Sequence, residues 1–395
     1  MGRRSFGGRR RPPRFRNKKK FSQKGSNIDV QKFVNKAVAV EEQEEYKPQH
    51  AFDDFYMDDR LKRNVAAKGY KKPTPIQDQA IPHLLQGKDV VGIANTGTGK
   101  TAAFLLPMLH KVMNDKNQKV LILAPTRELA LQIEEEFMSF ANGLGIHSAL
   151  CIGGTNMAFQ IRKLKRSNNF IIGTPGRIMD LSKRRLIHLD QFKNVIIDEA
   201  DRMLDMGFIN DIRFLLEQLP TKRHTLFFSA TVSRQIEDLI RTFLDNPLKI
   251  SVKVRETAAN VHQDVVHIGR NQNRVDILQG LLEGNEFRKV LIFGRTKRGV
   301  DKLSRTLYSR GFAVDSIHGD KSQSRRQRAL LAFKKHKVQI LVATDVAARG
   351  LDIDNISHVI NYDMPGTHDD YIHRIGRTGR GDKKGIALTF IEEKR

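Results

Sequence analysis

A strand, a glycine-spaced loop and a helix follow one another between Val90 and Leu106, and this order constrains the fold most strongly. The apolar run Val90–Ala94 predicts a buried strand, and the run after Thr101 favours a helix. Gly97 and Gly99 let backbone amides approach an anion, which the helix dipole also attracts. This order is the one that a phosphate-binding loop requires. The alternative is an ordinary glycine-rich turn.

The candidate phosphate-binding set is continuous in the sequence. It consists of Ala94, Asn95, Thr96, Gly97, Thr98, Gly99, Lys100 and Thr101. Lys100 can neutralise the outer phosphates, and the Thr101 hydroxyl can ligate Mg²⁺. The strict pattern has glycine where this chain has Ala94, so the match is good but imperfect.

The charge balance of the chain indicates which kind of partner it binds. The 395 residues include 69 lysines and arginines against 44 aspartates and glutamates, a net charge of +25. The usual polyanionic partner of such a chain is nucleic acid. A membrane surface is the competing interpretation, but no apolar run approaches the roughly 18 residues of a spanning helix. Cys151 is the single cysteine, which favours a reducing, cytoplasmic location and excludes an internal disulfide.

The N-terminal residues differ from the rest in composition. Residues 1–27 are rich in arginine and lysine and contain no acidic residue. We predict a disordered basic arm that binds phosphates, because so little apolar surface cannot drive folding. A solubilising or targeting tail is the alternative. Residues 28–50 are predicted to form a short helix and an acidic linker.

Two series of alternating strands and helices follow, which predicts an α/β fold with two parallel sheets covered by helices on both faces. The first domain is assigned to residues 80–254, a linker to 255–262 and the second domain to 263–395. Predicted strands of the first series are Val90–Ala94, Val120–Ala124, Ser148–Ile152, Phe170–Gly173, Val195–Asp198, Thr225–Ser229 and Lys249–Val252. Those of the second are Val290–Phe293, Ala313–Ile317, Ile340–Ala343, Val359–Tyr362 and Ile386–Phe390.

Two carboxylates follow one of the buried strands of the first series. Asp198 and Glu199 lie at its carboxyl end, where open α/β sheets bind ligands. Beside a phosphate loop, Asp198 can hold Mg²⁺ and Glu199 can orient or deprotonate an attacking water. A solvated acidic turn is the alternative.

The stretch Asp198-Glu199-Ala200-Asp201 is the signature of the DEAD-box ATP-dependent RNA helicases, which this chain resembles over about residues 52 to 391. The resemblance implies two tandem RecA-like domains that use ATP and Mg²⁺. It also implies that residues 51–79 recognise adenine, with Gln77 reading the base edge and Phe52 stacking on the base. Without the resemblance, Phe52 would be an equally good core residue.

The resemblance assigns further residues to RNA, to the nucleotide or to the coupling between them. RNA contacts are implied for Arg127, Gly154, Thr174, Arg177, Arg295, Gln323, Arg326 and Thr344. Asp352 would meet the ribose, and Arg377 and Arg380 would be arginine fingers that reach the γ-phosphate. Ser229, Thr231 and His373 would couple hydrolysis to RNA binding.

Each of these motifs has a plainer interpretation. Taken singly, the first-domain motifs are more often ordinary loops or helix caps, and Ser229–Thr231 could be an N-cap leading into a helix over Val232–Leu244. The arginines Arg374, Arg377 and Arg380 recur every three residues with glycines between them, which favours a loop. A generic basic loop that binds RNA is the alternative to a pair of arginine fingers.

The resemblance implies an ATP-dependent RNA helicase that closes its two domains on a single strand of RNA, gripping the backbone independently of sequence. We expect a monomer whose RNA targets are chosen by the arm or by protein partners. A nucleotide-gated RNA clamp and a DNA helicase stay open, since RNA is distinguished from DNA by its 2′-hydroxyls. A protein translocase fits the basic charge less well.

Overall fold

The protein is described by a computed structural model. It describes residues 46–95, 97–252, 260–348, 353, 355–379 and 384–392. The predicted arm, most of both linkers, Thr96, Asp352 and Arg380 lie outside these ranges.

The first lobe, residues 46–252, is built on a seven-stranded sheet. Its strands are β1 (Val90–Ile93), β2 (Val120–Leu123), β3 (Ser148–Cys151), β4 (Phe170–Gly173), β5 (Asn194–Ile197), β6 (His224–Ser229) and β7 (Leu248–Ser251). Their spatial order is β3-β4-β2-β5-β6-β1-β7, and all pairs are parallel. Every strand therefore ends at the same edge of the sheet.

Helices cover both faces of this sheet. They are α1 (Asp59–Ala67), α2 (Pro75–Leu85), α3 (Lys100–Asn114), α4 (Arg127–Phe140), α5 (Met157–Leu164), α6 (Pro175–Lys183), α7 (Ala200–Asp205), α8 (Ile209–Glu217) and α9 (Arg234–Phe243). Successive residues of β1 point to opposite faces, so Val90 packs with Phe104 of α3, whereas Val91 belongs to the cluster of Leu215 of α8. Burial on both faces explains why these strands are continuous apolar runs.

The second lobe, residues 260–392, repeats the architecture with six parallel strands. The strands are β8 (Val261–Ile268), β9 (Val290–Phe293), β10 (Val314–Ile317), β11 (Ile340–Ala343), β12 (His358–Asn361) and β13 (Gly385–Glu392), in the order β10-β11-β9-β12-β13-β8. Its helices are α10 (Arg274–Leu282), α11 (Lys297–Ser309), α12 (Gln323–Lys334), α13 (Asp345–Ala348) and α14 (His368–Ile375).

The structure confirms the predicted fold class of two parallel-sheet lobes. It adds strand β8, which pairs with β13 over eight residues and begins at Val261, inside the range 255–262 assigned to a linker. The prediction of a loop around the arginine series is wrong for His373 and Arg374, which form the last turn of α14. Among the described residues, no helix is long and apolar enough to span a membrane.

Candidate functional site

The loop between β1 and α3 has the backbone that an anion cradle needs. Gly97 and Gly99 adopt φ angles of +86° and +91°, which other residues rarely tolerate. A Cβ on Gly99 would also lie 2.4 Å from Nε2 of Gln77, so a larger residue there would have to displace the Gln77 side chain. The amide of Ala94 donates to the carbonyl of Ser229 (3.0 Å), which fixes the start of the loop to β6.

Lys100 lies under this loop, at the start of α3. Its side chain is buried, and Nζ donates to the carbonyl oxygen of Ala94 (2.8 Å). The Thr98 hydroxyl donates to the carbonyl of Asn95 (2.8 Å), which closes the turn. Thr101 follows in the first turn of α3 and is half-buried. A buried ammonium group beneath a glycine-rich turn is a suitable counter-charge for phosphate.

The first turn of α2 is attached to the same loop through Gln77. Its Nε2 donates to the carbonyl of Gly99 (3.0 Å), and its Oε1 accepts from the amide of Thr74 (2.9 Å). Phe52 is 6% exposed and meets Phe55 and Tyr70 edge to face. The structure thus places Gln77 on the phosphate loop and Phe52 in the core, and their roles toward adenine stay predictions.

Asp198 and Glu199 follow β5, which is separated from β1 by β6 alone. Burial raises the pKa of the Asp198 carboxyl, while the nearby Lys100 charge lowers it and Glu199 raises it further. Glu199 is held in the left-handed region (φ 52°) and forms a buried ion pair with Arg202. An uncommon backbone conformation at a buried acid is typical of a functional position.

Asp201 connects the end of β5 to the end of β6. Its Oδ2 accepts from the amides of Ala230 (3.0 Å) and Thr231 (2.9 Å) and from the Thr231 hydroxyl (3.1 Å). The Ser229 hydroxyl donates to the carbonyl of Thr231 (2.6 Å). The N-cap of α9 is Ser233, which accepts from the Ile236 amide, so the alternative N-cap role of Ser229–Thr231 is wrong.

These residues fit a nucleotide with Mg²⁺. The Thr101 hydroxyl and the Asp198 carboxylate are hard oxygen ligands of the kind that Mg²⁺ prefers, and bound phosphates would complete its coordination. Among the described residues there is no cluster of three or more acidic, histidine or cysteine side chains that could hold a metal by itself. Thr101 and Asp198 would thus hold the metal together with the phosphates of a bound nucleotide.

The residues assigned to RNA in the first lobe lie at the other half of the sheet edge, after β2, β3 and β4. Arg127 opens α4, and its guanidinium lies against Gly154, where a Cβ would be 2.2 Å from NH1. Thr174 is the N-cap of α6, and Arg177 on that helix donates to Sδ of Met157 (3.6 Å). One edge thus carries the phosphate loop on one side and the predicted RNA residues on the other.

In the second lobe, the residues assigned to RNA likewise follow the ends of strands, here β9, β10 and β11. Arg295 follows β9 with an exposed side chain, and its amide donates to Oδ2 of Asp363 (2.8 Å). Thr344 follows β11 and is 8% exposed. Gln323 and Arg326 lie on α12 and are buried.

Gln323 and Arg326 contact the first lobe. Arg326 NH2 lies 2.7 Å from Oε2 of Glu128, and Gln323 Nε2 donates to Oε1 of Glu128 (3.3 Å). Glu128 follows Arg127 at the start of α4, so the predicted RNA motifs of the two lobes meet at a buried ion pair. Burial lowers the pKa of Arg326, while the Glu128 charge raises it.

The arginines near the end of the second lobe have separate environments. Arg374 is buried, and its guanidinium pairs with both carboxylate oxygens of Asp345 (2.6 and 2.8 Å) and with Oδ1 of Asn361 (3.1 Å). Arg377 is 5% exposed, and its Nε donates to the carbonyl of His373 (3.2 Å). Arg374 is thus a structural arginine, and the finger role of Arg377 stays a prediction.

Sequence reasoning missed three of these residues as site members. Glu128, Asp201 and Asp345 all lie inside motifs that were recognised, but their roles as partners of other motifs are visible only in three dimensions. Their signal in the sequence is position alone, since each lies within two residues of one that was selected.

Fold and site together define a two-lobed phosphate-loop protein of the α/β class. The model of the family DEAD/DEAH box helicase matches residues 74–239, and that of the helicase conserved C-terminal domain matches residues 273–382. The chain belongs to the DEAD-box helicase family.

Individual relatives agree with this assignment. The chain is 45% identical to ATP-dependent RNA helicase CshA of Listeria monocytogenes over 86% of its own length and 66% of that protein. It is 44% identical to DEAD-box ATP-dependent RNA helicase CshA of Bacillus cereus over 86% of its length and 65% of that protein. The chain thus spans slightly less than two thirds of the length of these relatives.

Two solved structures are similar in fold. A DEAD box protein from the hyperthermophile Methanococcus jannaschii is 38% identical, with a TM-score of 0.51, over 87% of this chain and 93% of that one. S. cerevisiae Dbp5 bound to RNA and ADP BeF3 is 31% identical, with a TM-score of 0.76, over 87% of this chain and 90% of that one.

Proposed function

We propose that this protein is an ATP-dependent RNA helicase, which couples ATP binding and hydrolysis to closure of its two lobes on single-stranded RNA. The observation that carries the proposal is the buried contact of Glu128 with Arg326 and Gln323. It brings the predicted RNA residues of both lobes side by side, at the edge of the first-lobe sheet that also carries the phosphate loop.

ATP is the substrate that fits the first lobe. The amides of the loop and Lys100 would bind the phosphates, while Glu199 would orient and deprotonate the attacking water. Mg²⁺, held by Thr101 and Asp198, would neutralise charge that develops on the phosphates. Arg377, with Arg380 from outside the described residues, would supply positive charge from the second lobe, so that hydrolysis requires both lobes.

Asp201 is the element that would transmit the state of the nucleotide. It lies three residues after Asp198 and holds Ala230 and Thr231 at the end of β6, the strand between the two nucleotide motifs. A shift of Asp198 and Glu199 on hydrolysis would reach Thr231 through these hydrogen bonds. Affinities for ATP and RNA would then be coupled reciprocally.

The comparison with solved structures supports closure. The arrangement of the whole chain resembles Dbp5 bound to RNA and ADP BeF3 (TM-score 0.76) more than the M. jannaschii DEAD box protein (TM-score 0.51), although the latter is more identical in sequence. Similarity of sequence therefore does not explain the better superposition, which supports a closed arrangement of the lobes. Closure on one strand would exclude its pairing partner and separate a short duplex locally.

The same geometry suits an RNA clamp, in which hydrolysis serves mainly for release. The buried ion pair favours this second function, since it would hold the closed form. Displacement of a strand from a short RNA duplex under excess ATP distinguishes the two. We further propose that the protein acts as a monomer in the cytoplasm, grips the RNA backbone and obtains its targets from the arm or from protein partners.

The decisive experiment is phosphate release by the full chain with no nucleic acid, with single-stranded RNA and with DNA of the same sequence. We expect RNA to increase the rate at saturating ATP and DNA to have little effect. Equal stimulation by DNA would contradict an RNA-specific enzyme, and a rate indifferent to both would contradict the proposed coupling.

A further inference from the structure

Helix α5 presents an aromatic ring to solvent between two basic side chains. Phe159 is 53% exposed, and its ring centroid lies 5.9 Å from the guanidinium carbon of Arg162 and 5.8 Å from Nζ of Lys163. The spacing i, i+3 and i+4 puts all three on one face of the helix. The family motifs do not include these residues, and the core does not use this ring.

The orientation of the ring is fixed by its neighbours. Gln160 is 3% exposed, and its Nε2 donates to the carbonyl of Ile152 (3.0 Å), which fixes the inner face of α5. The Asn156 side chain caps the helix by accepting from the Phe159 amide (3.2 Å). Because the next residue points inward, Phe159 points outward from a capped first turn.

This first turn adjoins the predicted RNA residues of the first lobe. Met157, two residues before Phe159, accepts from Arg177, and α5 begins shortly after Gly154, on which Arg127 lies. Two residues of helix correspond to a rise of about 3 Å. The two side chains are also rotated by about 200° about the helix axis, so the ring faces away from Met157 and would meet a strand that passes over the first turn of α5.

The charge around α5 is of one sign along the chain. The stretch from 152 to 179 contains no aspartate or glutamate. Its basic side chains are Arg162, Lys163, Lys165, Arg166 and Arg177. Across from α5, Glu134 of α4 lies near enough to Lys163 for that charge to oppose the effect of burial, which raises the pKa of Glu134. An exposed aromatic ring among mainly cationic side chains matches a polyanion with flat apolar bases.

We propose that Phe159, Arg162 and Lys163 form an accessory stacking site for one unpaired base of single-stranded RNA, next to Arg127 and Arg177. The ring would stack on the base, and the two cations would meet the flanking phosphates. The proposal rests on the proposed function, because the strand must first be held by the RNA residues of both lobes.

Fluorescence gives a direct test, since the chain contains no tryptophan. In the variant Phe159→Trp, the single indole should be quenched by saturating oligouridylate in the presence of a non-hydrolysable ATP analogue. The matched control is Tyr308→Trp on α11, a position that is 74% exposed in the second lobe. Its emission should not respond. Unchanged emission of Phe159→Trp at RNA concentrations that saturate ATPase stimulation would overturn the proposal.

Affinity measurements supply a second readout. Phe159→Ala and Phe159→Leu should bind a long oligouridylate about five- to tenfold more weakly, while Phe159→Tyr should keep the wild-type affinity because it keeps the ring. The shortest RNA that still stimulates ATP turnover should bind all variants equally. Equal binding of the long RNA by wild type, alanine and leucine variants would refute the site.

The two proposals fail in different ways. If wild-type protein neither binds RNA nor is stimulated by it, the proposed function falls and the stacking site with it. If the wild type binds RNA and is stimulated by it, but the Phe159 variants bind the long RNA as tightly as the wild type, only the stacking site falls. Emission of Phe159→Trp that changes with a protein partner and not with RNA would likewise overturn it.

Discussion

Lys100 is the side chain on which the phosphate loop depends most directly. Its ammonium group is buried and is bound to the Ala94 carbonyl, so phosphate would meet a charge that is already positioned. We predict that Lys100→Ala lowers ATP turnover by about a hundredfold or more, a loss typical of removing one preorganised donor. Phosphate release at saturating RNA measures this loss of turnover, and an unchanged circular dichroism melt shows that the variant keeps its fold. Turnover at the wild-type rate would refute the cradle.

Glu199 has a different predicted role, since it is proposed to act on water. Glu199→Gln keeps the size of the side chain but removes its basicity, so ATP and RNA should still bind while hydrolysis slows by about 10²–10⁴-fold. Single-turnover phosphate release beside nucleotide-binding measurements separates the two effects. Glu217→Gln, at an exposed position on α8, is the matched control. Rapid release by Glu199→Gln would eliminate it as the water-activating residue.

At the residue scale, motif recognition located the loop and the acids but not their partners. Gly97 and Gly99 are selected from the sequence because backbone amides must approach a phosphate there. The structure shows positive φ angles at both residues. In contrast, the bond of Gln77 to Gly99 and the pairing of Arg374 with Asp345 depend on packing between distant segments. A sequence pattern contains no information on which of several nearby polar groups a side chain will choose.

At the scale of elements, apolar runs predicted strands well because parallel strands are buried on both faces. Val290–Phe293 and Ile340–Ala343 agree with the structure at both ends. Strand β8 was missed because His262, Gln263 and Asp264 interrupt its apolar pattern and it lies at the edge of the sheet, with one neighbouring strand. Edge strands tolerate such polar residues, so their composition resembles that of a linker.

The strand β6 also carries a prediction about acid stability. His224 begins this strand, and its Nε2 lies 2.8 Å from the carbonyl of Lys88. Burial lowers the pKa of His224 to about 4, with the Lys111 charge adding to the effect. Because the folded pKa is below the unfolded value, the folded state resists protonation, and stability falls as the pH drops from about 6.5 toward 4.

We therefore expect His224 to contribute a loss of up to about 2 kcal/mol in the free energy of unfolding between pH 7.5 and pH 5. His224→Gln should lose less over this range, because the amide can donate to the Lys88 carbonyl and does not titrate. Thermal melts of both proteins at the two pH values measure the difference. His147→Gln, at an exposed position, should behave as the wild type. Equal acid sensitivity of His224→Gln would show that another group is responsible.

At the scale of the whole molecule, Glu128 joins the two lobes. It is 3% exposed and pairs with Arg326, which is 6% exposed, so neither charge is solvated. Removing one partner of a buried ion pair leaves the other uncompensated, at a cost of about 3–5 kcal/mol. In a protein whose lobes can separate, that cost falls on the closed form, because an open form would return Arg326 to water.

Glu128→Gln should therefore shift the lobes toward the open form, so that closure requires a higher RNA concentration. The single Cys151 is buried, and burial raises the pKa of its thiol to about 12, which leaves it unreactive. Dyes can therefore be attached through Met138→Cys and Tyr308→Cys, at positions that are 61% and 74% exposed in the two lobes. Energy transfer between them, titrated with RNA and a non-hydrolysable ATP analogue, reports closure.

The matched control is Glu136→Gln, on the same helix α4, where the glutamate pairs with Lys68 inside the first lobe. Both variants lose one charge and one ion pair, but only Glu128→Gln breaks a contact between the lobes. We expect Glu136→Gln to close at the wild-type RNA concentration and Glu128→Gln to need at least tenfold more, with ATP turnover shifted in parallel. If both titrated like the wild type, closure would be driven by ligands alone, and the ion pair would be a consequence of closure that contributes nothing to it.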